Sequence, residues 1–203
     1  MTDLFDSAEG ATPIDHEVGR GLKADWLSTH AELNAAEQDN ILKATTWAFS
    51  RRKQWTIAEL AGVATLRRLH ARMLGDVWKW AGELRRTDVN IGPEWWRVPT
   101  EAESLCRDLA AQTADPDKLA WPAHEIAVRF HHRLVAIHLF VNGNGRHARL
   151  SADLIVRALG SAPLSWGGDQ LTSDGNIRER YLSALRTADR ANDYRELMEF
   201  ATS

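Results

Sequence analysis

The stretch His138-Leu-Phe-Val-Asn-Gly-Asn-Gly-Arg-His-Ala-Arg149 joins two apolar stripes of helical period through one glycine-rich loop, and its surroundings decide the fold class. Upstream, Ile126, Phe130, Leu134 and Ile137 recur at three- and four-residue intervals behind Pro122, a residue suited to a helix's first turn. Downstream, Leu150, Leu154, Ile155 and Leu159 form a second stripe, closed by Gly160 just past its end. Gly143 and Gly145 carry no Cβ, so both can take positive φ and turn successive backbone N–H groups inward as an anion nest. The following helix adds the positive end of its dipole. Arg146 and Arg149, three residues apart, share a face of its first turn, where each can fork onto phosphate oxygens. His138 precedes the nest by five residues, and a near-neutral imidazole there suits a general base acting on a hydroxyl held beside the phosphate. The same residues would also serve a plain Gly-Asn-Gly turn with two solvated arginines and a satisfied histidine.

Working outward, the pattern stays helical. Thr29-His-Ala-Glu32 has capping-box form, and Leu33, Ile41, Ala44 and Trp47 predict a helix to about Arg51. Thr56 starts a run through Leu60, Val63, Leu66, Leu69 and Met73 that ends near Gly75. Residues 80–99 break the period: Val89 and Ile91 alternate with polar neighbours before Gly92-Pro93, and Trp96 and Val98 resume afterwards, which predicts a short β-hairpin. Thr100 is positioned to cap a helix carrying Leu105 and Leu109, and two more helices follow, from about Asn176 to Arg190 and from Asp193. The count is seven or eight helices with no internal repeat, an essentially all-α domain. The first 25 or so residues, punctuated by Gly10, Pro13, Gly19 and Gly21, read as an arm laid on the body. The division expected is residues 1–54 as arm and packing helix and 55–203 as the main domain.

Composition excludes several classes of function. The 203 residues carry 25 Lys and Arg against 28 Asp and Glu, so no global basic excess favours nucleic acid or an anionic membrane, and phosphate recognition must be local. Cys106 is the single cysteine, which rules out an intrachain disulfide or a CxxC metal site. No apolar run approaches a bilayer span, and the acidic N-terminus lacks the form of a signal peptide, so the expected location is cytoplasmic.

The stretch from His138 to Arg149 resembles the Fic family signature, His-Pro-Phe-x-Asp/Glu-Gly-Asn-Gly-Arg-x-x-Arg. Trp80-Ala-Gly-Glu-Leu-Arg85 resembles the segment before that family's β-hairpin flap, and Arg178-Glu-Arg-Tyr-Leu-Ser-Ala-Leu185 its late helix. Ala11-Thr-Pro-Ile-Asp15 and Glu32-Leu-Asn-Ala-Ala-Glu-Gln-Asp-Asn-Ile41 are similar to the subgroup called mobile mystery protein B. The resemblance implies a Fic-type helical domain with a small hairpin flap, and transfer of AMP or a related phosphate-linked group from ATP to a Ser, Thr or Tyr hydroxyl of a target protein. It assigns His138 as base, gives the α- and β-phosphates to Gly143, Asn144 and Gly145, and gives the β- and γ-phosphates to Arg146 and Arg149. The target would dock along the flap, about Thr87 to Val98, touching Asn90, Ile91 and Trp96.

This sequence departs from the signature twice. Leu139 replaces proline, and Asn142 replaces the acidic residue that orients Mg²⁺ in the family, leaving a neutral amide as a weak ligand. The alternative that follows is a weakly active or inactive nucleotide-binding partner of a helix-turn-helix protein, mobile mystery protein A, in a toxin-antitoxin-like pair. Glu32 invites two readings, the capping box with Thr29 and the inhibitory glutamate that pairs with the second signature arginine, although Leu33 stands where Gly or Asn is usual. His124, His131, His132 and His147 lack metal-ligand spacing and read as structural. Adjacent Trp95 and Trp96 would face opposite sides of a strand, leaving one for a partner.

Overall fold

Capping boxes at Thr29 and Thr56 and the apolar periods above build the helices of a computed structural model that describes residues 19, 21–23, 27, 29–168 and 175–203. The similarity quoted for Ala11 to Asp15 lies outside the described residues. Eight α-helices are present among the described residues: α1 (His30–Ala48), α2 (Ile57–Leu60), α3 (Val63–Leu74), α4 (Val98–Gln112), α5 (Ala123–Ile137), α6 (Asn144–Ala158), α7 (Gly175–Ala191) and α8 (Arg195–Thr202). The only β-type pairing among them is an isolated bridge of Leu22 with Trp78.

Helix α1 starts as its sequence predicts, with Thr29 Oγ1 accepting from Glu32 N and Glu32 Oε2 from Thr29 N. It ends three residues early, and its buried stripe is Leu33, Glu37, Asn40, Ala44 and Ala48, with two polar residues embedded. The run from Thr56 to Gly75 is two helices, because Ala61 and Gly62 interrupt it. Thr100 caps nothing: α4 begins at Val98 with Pro99 in its first turn, continuing from a 3-10 turn at Trp95–Arg97. Helix α5 packs lengthwise on α6, and α1 on α3. Trp78, Phe140, Leu33, Leu66, Ile126 and Leu134 are among the largest fully buried side chains of the shared core.

The hairpin expected between Thr87 and Val98 does not form a ladder. Asp88 Oδ1 accepts from Trp95 N at 2.8 Å, and Arg85 gathers carbonyls from both limbs of the loop, so side chains close the loop where cross-strand bonds were expected. Trp95 and Trp96 therefore do not alternate across a strand. They sit side by side on the 3-10 turn, 42% and 59% exposed, with rings edge to face.

Candidate functional site: the His138 to Arg149 loop

The loop between α5 and α6 is held from three directions. From within, Asn144 turns its side chain back: Phe140 N donates to Asn144 Oδ1 at 2.9 Å, and Asn144 Nδ2 donates to Phe140 O at 2.8 Å. From α3, the His70 ring accepts from Gly82 N through Nδ1 and, with its proton therefore on Nε2, donates to Asn142 O, both at 2.9 Å. Its ring stacks on Phe140 with centroids 3.7 Å apart. Burial and the nearby His147 push the His70 pKa down to about 3, so this bridge is made by a neutral imidazole.

From the flap side comes Arg85. Its backbone N donates to Leu139 O at 2.9 Å, its Nε to His138 O at 2.7 Å, and its Nη2 reaches Ile137 O at 3.5 Å. Three consecutive carbonyls at the end of α5, those of Ile137, His138 and Leu139, thus meet one residue, where a helix leaves its acceptors unpaired. The remaining guanidinium donors go to Thr87 O and Pro93 O.

His138 is the C-cap of α5 in the left-handed conformation, φ 55° and ψ 66°, a region costly for a residue with a side chain. It is buried, its Nδ1 lies 3.4 Å from Val135 O, and burial pushes its pKa down to about 4, with the Arg85 charge acting in the same direction. At neutral pH the imidazole is uncharged and able to accept a proton. Five residues on, Gly143 opens α6 at φ 78°, where a Cβ would come within 2.5 Å of Leu74 Cδ1. Only one glycine has the positive φ expected of both: Gly145 is helical, and a Cβ there would meet just Arg149 Nη1 at 3.9 Å.

The two arginines diverge. Arg146 Nη2 pairs with Glu37 Oε2 of α1 at 2.7 Å, and Glu37 Oε1 accepts from Trp78 Nε1. Arg149 lies over the Tyr181 ring of α7, its charge weakened by burial and supported by the Tyr181 hydroxyl and Asp153. Burial raises the Asp153 pKa to about 6, opposed by a hydrogen bond from Trp166 Nε1. Asn142 Oδ1 accepts from its neighbour Gly143 N at 2.6 Å. Among the described residues no group of three His, Cys, Asp or Glu is arranged to hold a metal, and the uncharged Asn142 amide offers Mg²⁺ no carboxylate, so the ion would depend on the phosphates it arrives with. Phe140 is fully buried, and His131 and His147 are packed in the core.

Sequence reasoning missed Glu37, His70 and Arg85. Glu37 carried a usable signal, a carboxylate on the helical stripe of Leu33 and Ala44. Glu37 pairs with the first signature arginine, Arg146, and Glu32 closes the capping box with Thr29. His70 and Arg85 carried none, because the atoms they hold in this loop are backbone atoms 52 to 72 residues away.

Comparison with known proteins bears on the same loop. The Fic/DOC family model matches residues 61–156. Protein adenylyltransferase fic-1 of Caenorhabditis briggsae is 33% identical over 97 residues, which is 47% of this chain and 19% of the relative. A probable protein adenylyltransferase of Sinorhizobium fredii, y4lH, is 31% identical over 102 residues, 48% of this chain and 53% of that one. The chain therefore spans a fifth to a half of the curated relatives' length. The crystal structure of BepC from Bartonella tribocorum with bound AMPPNP superposes with a TM-score of 0.64 at 15% identity, covering 92% of this chain and 96% of that one. With the family model spanning α3 to α6 and the solved structure sharing the helical arrangement, the chain carries a Fic/DOC family domain.

Proposed function

We propose that this domain transfers AMP from ATP to a Ser, Thr or Tyr hydroxyl of another protein. The observation carrying this reading is the conjunction at one loop of a buried, uncharged His138 in a left-handed cap and the N-terminus of α6 opened by Gly143. In the reaction the hydroxyl oxygen attacks the α-phosphorus, the bond from that phosphorus to the β-phosphate oxygen breaks, pyrophosphate leaves, and His138 takes the hydroxyl proton. The N–H groups at the start of α6, the open face of Gly145 and the arginines would receive the polyphosphate. The side chain of Asn144 is committed to Phe140, so only its backbone is available to phosphate. Mg²⁺ would arrive on the triphosphate, and no step is assigned to it.

The target would lie along the exposed loop of Asn90, Ile91 and Trp96. Relatives named protein adenylyltransferase, matched across just under half of this chain, support the reaction class. Membership of the mobile mystery protein B subgroup rests on the similarity of Glu32 to Ile41 and of the arm. The test is incubation of the protein with α-labelled or γ-labelled ATP and cell lysate. Nucleotidyl transfer requires label from the α position alone, and γ-label on protein would mean phosphoryl transfer. Labelling that persists at the wild-type rate in His138→Ala would remove the proposed base.

A further inference from the structure

We propose that Arg85 is a positioning residue that fixes His138 and the flap loop as one unit, so that the segment the target lies against also sets the base. This rests on the transfer reading for its purpose, but its geometry stands independently. A single residue holds five carbonyls: Ile137, His138 and Leu139 at the end of α5, and Thr87 and Pro93 on the two limbs of the flap. Its side chain is fully buried, and the nearest carboxylate, Asp88, is 3.8 Å away and largely exposed. A charged guanidinium without a close buried counter-ion is retained here by carbonyl dipoles, and the negative end of the α5 dipole is among them. Its planar fork suits several acceptors at fixed angles, which an ammonium on a flexible stem does not reproduce.

The flap closes onto the same place. Gly92, at φ 104°, approaches so tightly that a Cβ would come within 2.8 Å of Ile137 O, 2.9 Å of Arg85 Nη2 and 3.2 Å of His138 Cβ. The left-handed cap at His138 is thus backed by Arg85 on its carbonyl and by the flap backbone on its side chain. Two geometries that a transfer reaction needs together, base and target backbone, are referred to one group.

Two variants of the full chain test this, Arg85→Lys and Gly92→Ala, the second retaining Arg85 and wedging the flap away from it and from the end of α5. The readouts are His138 titration by NMR, hydrogen exchange across residues 87–97, ATP affinity by calorimetry, and labelling of lysate protein with α-labelled ATP. In both variants His138 should titrate at least one pH unit closer to an ordinary histidine, flap amides should exchange at least tenfold faster, and the ATP dissociation constant should stay within about twofold. Labelling should fall by about 100-fold, the scale of a misplaced reacting group. Wild-type titration and exchange in Gly92→Ala, or a loss of ATP affinity matching the loss of labelling, overturns the proposal. Should Arg85→Lys fail to fold, Gly92→Ala decides alone. If the wild-type chain labels nothing, the transfer reading fails while titration and exchange still judge Arg85.

Discussion

Arg146 of α6 and Glu37 of α1 form an ion pair of 2.7 Å whose carboxylate is 4% exposed and is held on its other oxygen by the Trp78 indole. An incoming triphosphate has to compete with Glu37 for that guanidinium. Glu37→Gln keeps an acceptor for Trp78 and removes the competing charge, so ATP should bind about tenfold more tightly, equivalent to about 1.4 kcal/mol. Arg146→Ala should weaken binding by about 1.5–3 kcal/mol. Calorimetry with ATP checks both, and equal affinity in wild type and Glu37→Gln would show that the nucleotide does not use Arg146.

The two hydrogen bonds from Asn144 to the backbone of Phe140 are buried, so Asn144→Ala strands a donor and an acceptor inside the protein. Stability should fall by about 2–4 kcal/mol, read from urea unfolding. Asn144→Asp, which keeps the acceptor for Phe140 N and loses the donor, should cost less.

These contacts mark how far the sequence was legible. The stripes of α5 and α6, the capping boxes, and the loop between the two helices follow from period and cap chemistry, which are local. The flap was misread because Val89, Ile91, Trp96 and Val98 alternate like a strand. What overrides the alternation is long-range: Arg85 occupies carbonyls on both limbs, and Asp88 takes the N–H of Trp95. Gly145 shows the limit in another form. Glycine there suggested a bent backbone, yet the chain is helical and the missing Cβ leaves space beside α6. His70 and Arg85 act through backbone atoms far along the chain, where no pattern of residue types points to them.

Acid should unfold the protein earlier than its net charge suggests. Burial lowers the folded-state pKa of His70 to about 3 and of His138 and His147 to about 4, and His131 also lies well below its ordinary value. A depressed histidine means the unfolded chain binds the extra proton first, so this stability is fully present above about pH 6.5 and is lost as pH falls toward 4. For each histidine, a tenfold weaker hold on the proton in the folded state corresponds to about 1.4 kcal/mol. Asp153 acts oppositely: its raised pKa favours the folded state at low pH, and that contribution is lost as pH rises through about 6. Four histidines outweigh one carboxyl. Thermal melts from pH 8 to 4 should show a steep drop below 6.5, and a flat profile would contradict the buried neutral imidazoles.

Asn142→Asp is nearly isosteric and preserves the acceptor for Gly143 N while adding an anionic oxygen next to the nest. If transfer is limited by the absence of a carboxylate for Mg²⁺, labelling with α-labelled ATP should rise by about 10- to 100-fold. An unchanged rate would mean that the triphosphate alone positions the metal.

Trp96→Ala should reduce labelling of protein targets and leave ATP affinity unchanged, because the indole is 59% exposed on the flap and removed from the core. Equal losses of both would make the flap a wall of the nucleotide pocket and not a docking surface.

The His70 ring has a wider architectural meaning. It receives an N–H from Gly82 on one edge and returns an N–H to the carbonyl of Asn142 from the other, with the same polarity as a peptide unit. The imidazole therefore stands in for a piece of main chain, continuing a backbone-to-backbone relay across a gap that a neighbouring strand would otherwise fill. The ring and the direct bond from Arg85 N to Leu139 O together let two irregular segments keep register inside a helical domain, one link made by main chain and the other by a replaceable side chain.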